Sequence, residues 1–146
     1  MAELLREGGA VWKGDLRNGT GLISTESGAV AEQPYSFGTR FEDKPGTNPE
    51  ELIASAHAAC YSMALANTLA KKGYEPDSIE TLAVCTLESL KGGGFKISKM
   101  RLHVRGQVPG IDQGTFEDVA READKACPVS NLLRCGLEIE HRVNLL

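Results

Sequence analysis

The 146-residue chain has no excess of positive charge, few aromatic residues and no long apolar run. Lys and Arg number 16 against 20 Asp and Glu, a formal net charge of −4. A phosphate-backbone binder needs clustered positive charge, so nucleic acid is not expected as a partner. No stretch approaches the roughly 18 apolar residues of a membrane span. The opening MAELLREGGAVW lacks the apolar centre of a secretory signal. No membrane association and a cytoplasmic address are therefore expected. Cysteine is sparse as well, with four residues at positions 60, 85, 127 and 135. No Cys-x-x-Cys occurs, and no Cys/His spacing matches a zinc signature. These absences argue against a structural disulfide framework and for thiols that are free, catalytic or redox-active. What is present, 41% apolar and 25% charged residues, suits one globular domain over 1–146.

The runs AVWKGD, GTGLIST, GAVAEQ and YSFGTRF, punctuated by Gly, Asp and Asn, predict hairpins or a meander over 8–41. A central helix is predicted over 48–72. Asn48 suits its N-cap, Pro49 its first position, and Glu51 completes a capping-box pattern. Leu52, Ala56, Cys60, Met63, Leu65 and Leu69 spread over nearly its whole circumference, the mark of a helix buried on all sides. IETLAVCTLESL and FKISKMRLHVRGQV, joined by Gly92, Gly93 and Gly94, predict two long strands within 79–108. Thr115 with Asp118 predicts the next helix start, and Pro128 breaks that helix after Cys127, so helices fill 115–135. LEIEHRVNLL predicts a closing strand over 137–145. The order is that of an α+β fold.

Cys60 lies well inside the central helix, beyond the first turn where the helix dipole acts. Reactivity there needs a nearby cation or base; without one, Cys60 is a small apolar core residue. Cys127 precedes Pro128 at the break. As N-cap of a new helix its thiolate is favoured by unpaired amides, and otherwise it is a core cysteine at a kink. Cys85, mid-strand, and Cys135, beside Gly136, read as structural. His57 stands on the Cys60 face, one turn earlier. It reads as a base, as a metal ligand or as a satisfied polar residue, and the spacing offers no further ligands, so no metal is expected. His103 and His141 fall on predicted strands, toward solvent or a subunit contact. Arg40 precedes the loop leading to Glu50. An arginine held by a carboxylate is a rigid donor fork able to favour a thiolate, whereas a solvated surface pair contributes little.

GTNPEELIASAHAACYSMAL followed by ACPVSNLL resembles the osmotically inducible and organic hydroperoxide resistance (OsmC/Ohr) family over nearly the whole chain. STESG, QPYSFGTRFE and VPGID resemble its OsmC branch. The resemblance implies a thiol peroxidase, with no bound cofactor, that reduces organic hydroperoxides and, less well, hydrogen peroxide. It implies Cys60 as the peroxidatic cysteine and Cys127 as the resolving cysteine, passing through a Cys60 sulfenic acid to a Cys60–Cys127 disulfide. Glu50 matches the family glutamate and Arg40 the arginine of the OsmC branch, while Arg17 in GDLRNG stands as the alternative that the Ohr branch uses. It further implies an intertwined homodimer, its β-sheets wrapped around two long central helices. A dithiol reductant such as a dihydrolipoyl protein is implied too. Tyr35, Phe37, Phe41 and Tyr61 are candidates to line an access path for alkyl peroxides. Two other readings stay open: a cysteine hydrolase using Cys60 with His57, and a non-catalytic stress-induced binding protein.

Overall fold

The computed structural model describes residues 2–143. The chain is α+β, in the order β1 (Gly8–Lys13), β2 (Thr20–Thr25), β3 (Gln33–Tyr35), α1 (Phe37–Phe41), α2 (Pro49–Lys71), β4 (Ser78–Ser89), β5 (Phe95–Gln107), α3 (Gln113–Ala126) and α4 (Pro128–Cys135). It packs as two compact units. Unit 1 holds residues up to Ile53 together with Thr86–Lys96, and unit 2 holds Ala54–Cys85 together with the chain from Ile97 onward.

Unit 1 is built on the antiparallel sheet β1-β2-β3. Its register sets Gly21 opposite both Trp12 and Tyr35. A Cβ on Gly21 would fall 2.3 Å from the Tyr35 ring. The bare backbone instead lets the Trp12 and Tyr35 rings meet at 5.3 Å between centroids. The β meander expected over 8–41 stops at Tyr35. GAVAEQ contributes only Gln33 to a strand, and FGTRF is the helix α1. A capping box decides this. Ser36 Oγ accepts from the Thr39 amide at 3.3 Å, and Thr39 Oγ1 accepts from the Ser36 amide at 2.9 Å. These reciprocal bonds offer the backbone a helical turn in place of a ladder.

The long helix α2 starts as expected, with Asn48 Oδ1 accepting from the Glu51 amide at 2.8 Å. In unit 2 its buried stripe, Tyr61, Leu65 and Leu69, meets Val119 and Ala123 of α3 and Cys127. Within one chain the helix is buried along one stripe only. Ser55, Ala56, Ala59, Met63, Asn67 and Ala70 are exposed, and Met63 keeps 75% of its surface. One stripe suffices for the unit's own core, and no described residue covers the rest. The strands β4 and β5 form a two-stranded sheet, linked through Gly92, Gly93 and Gly94 at φ of 90°, 104° and 87°, a region that side chains disfavour. On β5 the half-buried Met100, Leu102 and Val104 alternate with the exposed Lys99, Arg101, His103 and Arg105.

The helix α3 is capped one turn earlier than the Thr115–Asp118 pattern predicts. Asp112 Oδ1 accepts from the Thr115 amide at 2.8 Å and Oδ2 from the Thr115 hydroxyl at 2.9 Å. The strand expected over 137–145 is not formed over 137–143, which is exposed and irregular. Positions 144 and 145 lie outside the described residues. A strand exists only where a neighbour completes its ladder, and no described strand pairs with this segment. Among the described residues no helix is long and apolar enough to cross a membrane.

Candidate active site

In unit 2 two reduced cysteines meet at the N-terminus of α4. Cys60 on α2 is half-buried, and Cys127 is buried at 0% exposure. Cys127 is at once C-cap of α3 and N-cap of α4, with φ −74° and ψ 116°. Pro128 enforces that extended geometry in the residue before it. The Ser130 amide donates to Cys127 Sγ at 3.5 Å. Cys60 and Cys127 bear on each other's titration, and the Val129 amide favours the thiolate of both. Orphan amides of a helix start thus converge on a thiol pair.

The two thiols are not equivalent. Burial pushes the Cys60 thiol up, and the neighbouring Cys127 adds to the rise against the opposing Val129 amide. Burial acts the same way on Cys127, but the Ser130 hydroxyl and amide, with help from Cys60 and Val129, outweigh it and hold Cys127 below its ordinary value. Cys60 therefore needs a positive charge to attack as a thiolate.

His57 is 4% exposed, and its Nε2 lies 2.8 Å from Ser130 Oγ. A hydrolase built on Cys60 and His57 needs a direct bond between base and thiol; the ring's hydrogen bond goes to Ser130 instead. None of the three readings of His57 from the sequence named this partner, and Ser130 itself was not a sequence candidate. The available signal was its spacing, three residues after a predicted N-cap, where a backbone amide reaches back to the cap side chain. Tyr61 also belongs to this unit. It is buried, donates its hydroxyl to the Ala120 carbonyl at 2.9 Å, and is pushed up to about 12 by burial. Cys85 is half-buried on β4, Cys135 ends α4 exposed, and His103 is exposed. His141, expected on a strand, lies in the exposed irregular segment.

Unit 1 carries the other candidates. Arg40, on α1 rather than after a strand, grips Glu50 in the first turn of α2. Its Nε donates to Oε1 at 3.1 Å and to Oε2 at 3.3 Å, and its Nη2 donates to Oε1 at 2.7 Å. Glu50 is buried at 7% exposure, so this is not a solvated surface pair. The guanidinium also lies 5.1 Å from the Phe41 centroid. Arg40, Tyr35, Phe37 and Phe41, with Trp12, Leu16 and Ser36, line a recess of about 270 Å³. Arg17 stacks on Phe37 at 5.1 Å, while the carboxylate of Glu50 is taken by Arg40. A donor fork, a buried carboxylate and aromatic walls make a recess suited to a small molecule with a polar head and an apolar tail.

Residues 41–142 match the family model described as OsmC-like protein. The chain is similar to Peroxiredoxin OsmC of Escherichia coli K12, 46% identical over 138 residues, which cover 94% of the chain and 96% of the relative. It is also similar to the organic hydroperoxide resistance protein OhrB of Bacillus subtilis, 28% identical over 82% of the chain and 86% of the relative. Among solved structures, an OsmC-like protein from Mycoplasma pneumoniae shares the fold at a TM-score of 0.69. It is 15% identical and covers 92% of the chain and 90% of its own.

Proposed function

The chain belongs to the OsmC-like protein family, and on that premise we propose that it is a thiol-dependent peroxidase that reduces organic hydroperoxides, and hydrogen peroxide less well, through Cys60 and Cys127. The observation that carries this reading is the packing of two reduced cysteines, Cys60 against Cys127, at a helix start whose amide reaches the Cys127 sulfur. The Cys60 thiolate attacks the terminal peroxide oxygen. A sulfur–oxygen bond forms, the oxygen–oxygen bond breaks, and the alkoxide takes a proton and leaves as an alcohol. Cys60 is then a sulfenic acid. Cys127 condenses with it, a disulfide forms and water departs. Thiol–disulfide exchange with a dithiol reductant, of which a dihydrolipoyl protein is the proposed kind, restores both thiols.

Arg40, held by Glu50, is assigned the charge that Cys60 requires and the donor fork that orients the peroxide. Tyr35, Phe37 and Phe41 are assigned the alkyl group, in keeping with the apolar walls of their recess. The reading takes 1–146 as one family domain, working as a homodimer in the cytoplasm, where reductants keep thiols available.

Peptide-resolved mass spectrometry after treatment with an alkyl hydroperoxide tests the proposal. The wild-type chain should lose two thiols and regain them with dithiothreitol. Cys60→Ser should abolish turnover, and Cys127→Ser should react once and carry an oxidised Cys60. An unmodified Cys60 in an active Cys127→Ser protein overturns the assignment.

A further inference from the structure

Behind Cys127 stands a buried pair that the peroxidase chemistry leaves unused. His57 and Ser130 are each 4% exposed, and removing an imidazole and a hydroxyl from water is costly unless they are well partnered. Yet His57 Nδ1 is buried with no partner among the described residues. The ring's Nε2 bonds Ser130 Oγ at 2.8 Å. Ser130 in turn addresses Cys127: its amide lies 3.5 Å from Sγ, and its side chain helps hold the Cys127 thiol below its ordinary value. A hydroxyl has one proton. If it points at the sulfur, Oγ must accept from His57 Nε2–H, which sets the tautomer of the ring.

Resting on the peroxidase reading, we infer that His57 and Ser130 are positioning residues for the resolving step, His57 Nε2–H locking the Ser130 hydroxyl as a donor to Cys127 Sγ so that Cys127 attacks as a thiolate. In that step the Cys127 thiolate attacks the sulfur of the Cys60 sulfenic acid. The sulfur–sulfur bond forms and the sulfur–oxygen bond breaks. The hydroxide takes up the proton that Cys127 released and leaves as water, while Ser130 and His57 keep theirs. No outside oxidant or reductant enters.

The surroundings suit a neutral donor. His57 shares a cavity of about 600 Å³ with Asp124 of α3, Arg134 of α4 and Lys99 of β5, and Asp124 is paired with Arg134 at 2.5 Å. Burial, reinforced by Arg134 and opposed by Asp124, holds His57 below its ordinary value. The ring is therefore neutral at pH 7. A pair that merely filled buried space would affect stability when removed, and would leave the titration of Cys127 alone.

The test follows alkylation of Cys127 by iodoacetamide against pH in the reduced full chain, by peptide-resolved mass spectrometry. Rapid mixing with an alkyl hydroperoxide then separates sulfenic acid formation from disulfide formation. Ser130→Ala and His57→Leu should move the Cys127 midpoint to higher pH. They should also slow disulfide formation by about tenfold relative to sulfenic acid formation, the size of one lost hydrogen bond to a charged group. His57→Gln, whose side-chain amide can replace Nε2–H, should restore most of both. Ser130→Ala keeps the question answerable should His57→Leu fail to fold. An unchanged midpoint in Ser130→Ala, or equal slowing of the two steps, overturns the inference. If peroxide removes no thiols from the wild-type chain, the peroxidase reading fails, while the alkylation profile still decides the coupling of His57, Ser130 and Cys127.

Discussion

Arg40 meets Glu50 with two nitrogens, at 2.7 Å from Nη2 and 3.1 Å from Nε to the same carboxylate oxygen. A lysine carries the same charge on a flexible stem and cannot reproduce that fork. Arg40→Lys should therefore slow the reaction with alkyl hydroperoxide by ~10², equivalent to ~2.7 kcal/mol of transition-state stabilisation. Stopped-flow rates of Cys60 oxidation give the number. Arg17→Ala is the comparison, because Arg17 rests on Phe37 while Glu50 is held by Arg40. A crippling Arg17→Ala beside a nearly silent Arg40→Ala transfers the role to Arg17. At this scale the sequence was informative wherever a residue type is itself scarce and chemical. Two of four cysteines sat in recognisable motifs, and Cys127 was readable as an N-cap because Pro128 follows it. The choice between two arginines was not readable, since Arg40 reaches Glu50 from α1, a helix that the aromatics of YSFGTRF disguise as a strand, and Arg17 stands in the turn between β1 and β2. Ser130 escaped notice because serine is common, and only its position behind Cys127 gives it meaning.

The short helix α1, five residues long, carries Arg40 and two walls of the recess, so its stability bears on the site. It is too short to persist on propensity alone. Its capping box supplies what propensity does not. Ser36→Ala removes the acceptor for the Thr39 amide and should cost about 1 kcal/mol, measured as a fall in the urea midpoint at unchanged slope. Thr39→Val removes the reciprocal bond at 2.9 Å and should behave alike. Unchanged midpoints in both variants would show that packing of Phe37 and Phe41 holds α1 without its cap. The same logic explains which elements the sequence revealed. The start of α2 and the hairpin between β4 and β5 are written in local chemistry, Asn48 at one and three consecutive glycines at the other. YSFGTRF reads as a strand by its aromatics, and only the Ser36–Thr39 pair reverses that. The C-terminal LEIEHRV has a strand's alternation, but a ladder partner is a property of distant residues and no window of sequence contains it.

At the scale of the whole molecule, the chain leaves large apolar side chains on its own surface. Met63 on α2 is 75% exposed, Leu82 on β4 63%, and Leu137, Ile139 and Val143 lie between 68% and 86%. Ala56 and Ala59 flank Met63 with side chains small enough for close approach of another backbone. A second copy, paired about a two-fold axis, would bury such a face against itself. Sedimentation at micromolar concentration should give about twice the 15.7 kDa chain mass. Met63→Glu separates the alternatives. In a lone chain it changes an exposed position and should shift stability by no more than ~0.5 kcal/mol. In a dimer it sets two carboxylates into an apolar seam, and should drive the boundary toward the single-chain mass. The wild-type melting temperature should also rise with protein concentration if pairing and folding are linked, because only the folded chain offers the face. A wild-type boundary at the single-chain mass across the whole range, with a melting temperature independent of concentration, would leave those side chains to water and sink the dimer.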